Sequence, residues 1–239
     1  MANLLVEIGN TALKAAWADG ITLGKTFRYQ GEKTMDFILS VTAKQKPDVM
    51  VVCSGTEISG QDMDILRAEC GELVIMDPAH KDVSQRNSLP GFLSGDRAAS
   101  IIAVRYLFKG KPSTIVDFGT TLTVDFISSD GLYQSGNISL GCRTRFKALG
   151  RYSRSLPVLN FPEEPPVTGT TVETSIEAGV VTGIVFEING YLSLSPDNIV
   201  VFTGGDANYF AKRMKNSIFV ICNLVSMGLA IIAGQYGKR

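Results

Sequence analysis

LLVEIGNTALKA, residues 4–15, sets a carboxylate and a glycine-asparagine pair between two runs of strand formers. Leu4, Leu5, Val6 and Ile8 suit a buried strand. Gly9-Asn10 is a pair that turns a chain readily at positive φ, so the local reading is a plain hairpin. A hairpin leaves Glu7 unexplained, because a carboxylate beside a buried strand end costs free energy unless a cation or a donor meets it. Residues 117–121, DFGTT, repeat residues 7–11, EIGNT: carboxylate, glycine and hydroxyl recur in step.

Each copy of the turn sits in a larger repeated plan. In the first half, periodicity predicts two strands around Gly9-Asn10, a third over 21–29, a helix over 33–46 with Phe37, Ile38 and Val41 inward, and a strand VMVVC at 49–53. A helix over 60–70, a strand over 73–76 and a helix over 95–108 complete it. Past Gly110 and Pro112 three strands begin again with TIVDFGTTLTVDF. A helix over 142–152, a Pro-rich loop over 156–166 and a long helix from Thr170 to about Tyr191 follow. Strand NIVVF, a helix over 206–215, strand IFVI and a closing helix over 224–235 end the chain. Both halves read βββαβαβα, the second with one extra helical segment. The expectation is an α/β protein of two duplicated domains, 1–112 and 113–239, with a cleft between their equivalent turns.

Composition narrows the partners. The chain has 239 residues, is 45% hydrophobic, and balances 23 basic against 23 acidic side chains. It therefore lacks the basic footprint that nucleic acid or an anionic membrane demands, and small-molecule partners are expected. No basic leader or cleavage site opens the sequence, and the apolar stretch 218–234 is broken by Asn223, Ser226, Gly228 and Gly234, which suits a packed helix. A cytoplasmic protein is the expectation. Cys53, Cys70, Cys142 and Cys222 show no paired spacing, so reduced, mostly buried thiols are expected rather than a zinc site or disulfides. His80, the single histidine, lies in a loop pattern after Asp77-Pro78-Ala79, which suits a surface position.

Three further segments carry chemistry. Ser94-Gly95-Asp96-Arg97 opens a predicted helix, and Ser and Asp are favoured at helix starts, which by itself accounts for them. Thr203-Gly204-Gly205-Asp206 follows a strand and opens a helix, where Asp206 has the same simple reading as a cap. GLYQSGNISLGCRTRFKAL, residues 131–149, extends the second turn. Gly20 to Thr26 imitates a phosphate loop, but Gly20 is one residue too close to Gly24-Lys25-Thr26 and the stretch lies in a strand pattern.

The paired glycine turns resemble the actin-like (ribonuclease H-like) nucleotide-binding fold of sugar kinases and acetate kinases, in which two such turns face a nucleotide across an interdomain cleft. Glycine lets backbone N–H groups approach phosphate, Asn and Thr add donors, and carboxylates hold cations. LSGDRAAS at 93–100, VDFGTTLTVDF with GLYQSGNISLGCRTRFKAL at 116–149, and VVFTGGDA at 200–207 make the chain similar to the type III pantothenate kinases, a family that includes proteins called Bvg accessory factors. The resemblance covers nearly the whole chain in order.

It implies ATP-dependent phosphorylation of pantothenate to 4′-phosphopantothenate, the first step of coenzyme A synthesis. By it, Asp96 is the catalytic base toward the pantothenate hydroxyl. Ser94, Gly95, Arg97, Asn87, Thr171 and Val172 border the substrate; two roles are open to Arg97, pairing with a substrate oxygen or holding Asp96. Glu7-Ile8-Gly9-Asn10-Thr11-Ala12-Leu13-Lys14 line the ATP phosphates and Thr120 touches ATP, although Lys14 alternates with apolar residues and also suits a solvated strand position. Asp117 matches the ligand of a monovalent cation, potassium or ammonium; Mg2+ enters with ATP, with Glu7 as its protein carboxylate; Asp125 is a further polar candidate. The second half supplies a homodimer interface.

Where the family usually has Asp, Gly, Tyr and Thr, this chain has Glu7, Ser94, Asn87 and Val172, the last beside Thr170 and Thr171. Those substitutions keep two alternatives open: a nucleotide-binding accessory or pseudokinase protein, and another small-molecule kinase of the same fold.

Overall fold

The computed structural model describes residues 2–237. They form two compact units, one running to Lys109 and resuming at Asn223, the other Gly110–Cys222.

In the first unit, strands β1 (Asn3–Ile8), β2 (Leu13–Asp19), β3 (Thr22–Tyr29), β4 (Val49–Ser54) and β5 (Glu72–Met76) form a sheet of order β3-β2-β1-β4-β5. β1 pairs antiparallel with β2 and parallel with β4. Helices α1 (Thr34–Thr42) and α2 (Gly60–Ala68) bury Ile38 and Leu66 against Leu4, Val6, Met50 and Val52. α3 (Asp82–Arg86) and α4 (Gly95–Leu107) follow. The β4 run VMVVCS is buried along its whole length, as a strand covered on both faces must be.

The second unit repeats this order with β6 (Ser113–Phe118), β7 (Thr121–Ile127), β8 (Tyr133–Leu140), β9 (Ile199–Thr203) and β10 (Ile218–Val220) in a sheet β10-β9-β6-β7-β8. Its helices are α5 (Cys142–Tyr152), α6 (Val172–Ser193) and α7 (Ala207–Ala211). Phe118 packs against Phe202 and Phe210 with ring centroids 4.8 and 4.9 Å away. The Pro-rich stretch is strapped down: Tyr209 Oη donates to Pro162 O at 2.8 Å, and the Phe161 and Tyr209 rings lie 4.3 Å apart.

One element departs from the simple repeat. The closing helix α8 (Leu224–Tyr236), expected in the second half, belongs to the first unit, where it touches all five strands and packs along α4. Gly228 makes that packing possible, since a Cβ there would lie 1.9 Å from Ala99 O. α3 was not anticipated, because five residues are too few for a periodic signal. Gly20, at φ 56°, turns the β2–β3 hairpin, so the Gly20–Thr26 stretch is strand and turn. Cys53 and Cys142 are buried, Cys70 is half-buried, and Cys222 is exposed.

His80 is held by Asp77, a buried carboxylate that accepts from the backbone N–H of Ile58 (2.9 Å), Ala79 and His80 (2.8 Å each) and lies 2.9 Å from His80 Nδ1. Burial pushes the Asp77 carboxyl up, but the Ile58, His80 and Ala79 hydrogen bonds together outweigh it and hold it below its ordinary value. A depressed folded pKa contributes stability above the unfolded value of about 3.9, lost as pH falls through the folded value. Asp77→Ala should therefore cost about 3 kcal/mol at pH 7, and the gap between variant and parent in urea titrations should narrow below about pH 4. An equal gap at pH 7 and pH 3 would refute this.

Candidate active site

The first turn is set by register. Ile8 pairs with Leu13 and Glu7 with Lys14, which leaves Gly9 to Ala12 as the turn, closed by Gly9 N–H donating to Ala12 O at 3.2 Å. Asn10 and Thr11 are exposed at its tip. Opposite placement brings Lys14 Nζ to 3.1 and 3.2 Å from the two Glu7 carboxylate oxygens. The carboxylate that a hairpin leaves unexplained thus meets a cation.

On the other side of β1, Glu7 pairs with Cys53 of β4. Gly95, at the start of α4, closes on the same thiol: a Cβ there would stand 2.8 Å from both Cys53 Sγ and Met76 O. Burial pushes the Cys53 thiol well up, and the nearby charges of Asp96 and Glu7 push it further against the pull of Lys14. Asp96 and the Glu7–Lys14 pair therefore share one end of the sheet. Sequence reasoning missed Cys53 as their meeting point; the parallel register of β1 with β4 is what places it there.

Asp96 is half-buried in the first turn of α4, and Arg97 N–H donates to its Oδ1 at 2.9 Å. Ser94 occupies the cap position without a side-chain cap bond, so its exposed hydroxyl is not spent on the helix. Arg97 is buried. Asn87 is committed elsewhere: its amide bonds Val83 O and the Gln235 side chain.

The second turn, in the second unit, is one residue shorter. Phe118 pairs with Leu122 and Asp117 with Thr123, so only residues 119–121 turn, with Gly119 N–H donating to Thr121 O at 3.1 Å. The position facing Asp117 across the hairpin carries a hydroxyl where Glu7 has Lys14. Exposed Thr120 accepts at its carbonyl from Gly141 N–H (3.0 Å) and Thr144 Oγ1 (2.7 Å), which seats the start of α5 on the turn. Gly204, at φ 90°, brings the β9–α7 loop against the same turn; a Cβ there would fall 2.4 Å from Asp117 Oδ1. Asp206 makes no side-chain cap bond and instead pairs with Arg143 at 3.5 Å. Burial raises the Asp206 carboxyl in spite of Arg143. Gly141 and Arg143 lie in the GCRTRF stretch, to which the sequence assigned no role. Asp125 is buried within β7.

Thr170, Thr171 and Val172 stand at the head of α6 beside an apolar cavity of about 1180 Å3 bordered also by Leu140, Tyr152 and Leu156. Thr171 is occupied in a capping box with Thr174, whereas Val172 is exposed.

A sheet and helix plan present twice, each copy carrying a carboxylate, a tight glycine turn and hydroxyls, defines a duplicated, actin-like α/β fold. It is shared, at a TM-score of 0.64 and 12% identity over 99% of this chain and 98% of the other, with a crystal structure described as a putative 2-dehydro-3-deoxygalactonokinase from Sinorhizobium meliloti. A structure described as a conserved putative Baf family transcriptional activator from Campylobacter jejuni superposes with a TM-score of 0.65 at 20% identity, covering 97% of this chain and 98% of that one. The sequence profile described as type III pantothenate kinase matches residues 3–193. A protein named type III pantothenate kinase from Phocaeicola vulgatus is 33% identical over 245 residues, 99% of each chain. The chain belongs to the type III pantothenate kinase family, a family of kinases.

Proposed function

We propose that this protein transfers the γ-phosphoryl group of ATP to the primary hydroxyl of pantothenate, yielding 4′-phosphopantothenate at the entry to coenzyme A synthesis. Beside family membership, one observation carries the reading: Asp96 and the Glu7–Lys14 turn lie together around the buried Cys53. A proton acceptor next to a glycine turn and a lysine is what phosphoryl transfer to an alcohol requires, since its catalysis is mostly positioning and charge neutralisation.

In the mechanism, Asp96 accepts the proton of the attacking hydroxyl, its Oδ1 oriented by Arg97 N–H. The exposed tip of the first turn brings the backbone N–H groups and the side chains of Asn10 and Thr11 to the phosphates. Lys14 exchanges its Glu7 partner for phosphate oxygens, and Thr120 bonds the nucleotide from the second turn. Glu7 and Asp117 suit the donor chemistry of cations brought with phosphate, which take one or two protein carboxylates. The crowding of Gly204 against Asp117 Oδ1 gives that carboxylate a shaped cradle. Glu7 would serve Mg2+ and Asp117 potassium or ammonium; the bound cations neutralise phosphate charge.

The second unit supports a homodimer. Helix α6 carries Phe186 and Val172, 68% and 51% exposed, and Ile138 and Leu140 on β8 are also bare. Phe186→Asp should shift the protein from dimer to monomer in light scattering; an unchanged mass would remove α6 from the interface. Four free thiols suit a reducing cytoplasm.

The function is tested by ADP release with pantothenate against a panel of other alcohols, with Mg2+ in potassium or in sodium buffer. Turnover confined to pantothenate and several-fold faster in potassium is expected. ADP release with a different alcohol alone would sink the assignment, and equal rates in the two buffers would sink the role of Asp117.

A further inference from the structure

The chain between α3 and α4, residues 87–94, delivers Asp96 to its place and is fastened at one residue. Asn87 ends α3 and gives its Nδ2 to Val83 O at 2.9 Å. The same amide pairs reciprocally with Gln235 of α8: Asn87 Nδ2 to Gln235 Oε1 at 3.1 Å, and Gln235 Nε2 to Asn87 Oδ1 at 3.0 Å. Its carbonyl accepts from Arg105 Nη1 at 2.7 Å, so the far end of α4 grips the segment that leads into the near end. Arg86 lies over the Tyr236 ring at 4.2 Å and repeats the tie between α3 and α8. Directly after Asn87, Ser88 is held at φ 52°, the left-handed region that a serine seldom adopts. Beyond it Leu89 and Leu93 are buried while Phe92 and Ser94 are exposed.

Stability alone is a poor account of these ties. The Asn87–Gln235 pair is at the surface, where exchange with water leaves little net gain. Arg105 is costly: its Nε and Nη2 are buried without a hydrogen-bond partner among the described residues, and burial pulls the guanidinium down from its usual range. A guanidinium kept under such conditions for one bond to a main-chain carbonyl holds a backbone position.

We infer that Arg105 and Gln235 are positioning residues for the acceptor side of the site: acting through Asn87, they fix the 87–94 segment and thereby set the affinity for the acceptor alcohol. Asn87 then serves as the anchor of the segment and makes no substrate contact of its own. The inference rests on Asp96 as the base of the proposed reaction.

Steady-state kinetics on full-length Gln235→Leu, Arg105→Met and the swapped pair Asn87→Gln/Gln235→Asn test it. Each single variant should raise the pantothenate KM about five- to tenfold with kcat within about twofold and the ATP KM unmoved, a pattern of lost acceptor binding. Melting temperatures should stay within about 2 °C of the parent, because neither side chain contributes much net stability. The swap should return the pantothenate KM to within about twofold of the parent, since it rebuilds the amide pair. An active parent whose pantothenate KM is unmoved in both single variants overturns the inference alone. So does a loss spread evenly over kcat, ATP KM and melting temperature, or a swap as impaired as Gln235→Leu. A folded parent that transfers no phosphate to pantothenate overturns the functional reading and the inference with it.

Discussion

Asp96→Asn should lower turnover by a factor on the order of a hundred or more while leaving the fold and ATP binding nearly intact. The asparagine keeps the shape and can still accept the Arg97 N–H bond that orients Oδ1. It loses the negative charge and with it the capacity to take a proton. The helix start of α4 should barely notice, because Ser94 and not Asp96 occupies the cap position. Circular dichroism and ATP titration serve as controls. Near-normal turnover in the folded variant would end the assignment of Asp96 as the base.

The second large effect is expected far from any proton. Gly141→Ala introduces one methyl group at a residue whose φ of −67° any side chain tolerates, so no backbone strain enters. The methyl carbon would nonetheless lie 2.0 Å from Gly119 O and 2.8 Å from Thr120 O, both main-chain atoms of the second turn. Either α5 retreats or the turn is displaced. Overpacking of this kind costs about 1–3 kcal/mol, and, with the second turn in its proposed place at the nucleotide, its displacement should reduce kcat/KM for ATP by a factor of about ten to a hundred. Thermal denaturation and kinetics at varied ATP check the two parts. Unchanged kcat/KM for ATP would show that the turn can shift without harm, and would detach Thr120 from the nucleotide.

The repeat of EIGNT and DFGTT made the architecture legible, because the strands beside both turns are runs of strand formers buried along most of their length, and such runs survive in sequence. The succession of elements along the chain followed from the same runs, whereas the order of strands within each sheet did not. The position of α8 was not legible: its residues announce an apolar helix but carry no mark of which sheet they cover, and its packing along α4 and all five strands of the first unit appears only in three dimensions. Within the candidate site, Glu7, Asp96 and Asp117 stood out as carboxylates beside glycine. Their surroundings did not. Lys14 as the partner of Glu7 depends on a turn of four residues, whereas the three-residue second turn puts Thr123 opposite Asp117. Cys53 and Gly141 are silent in one dimension, since a thiol or a glycine acquires meaning only from the strand or turn laid against it.

The return of α8 to the first unit has a consequence for the order in which the chain acquires its structure during synthesis. Gly110–Cys222 is contiguous and has its whole sheet once Val220 has left the ribosome. The first unit, although made earlier, waits for the last helix to cover all five of its strands. Until then the α4 face around Ala99 is bare, and Asn87 lacks Gln235. The half that holds the proposed base is therefore the later one to mature, and a nascent or C-terminally clipped chain would carry a finished second unit beside an apolar surface open to chaperones and aggregation.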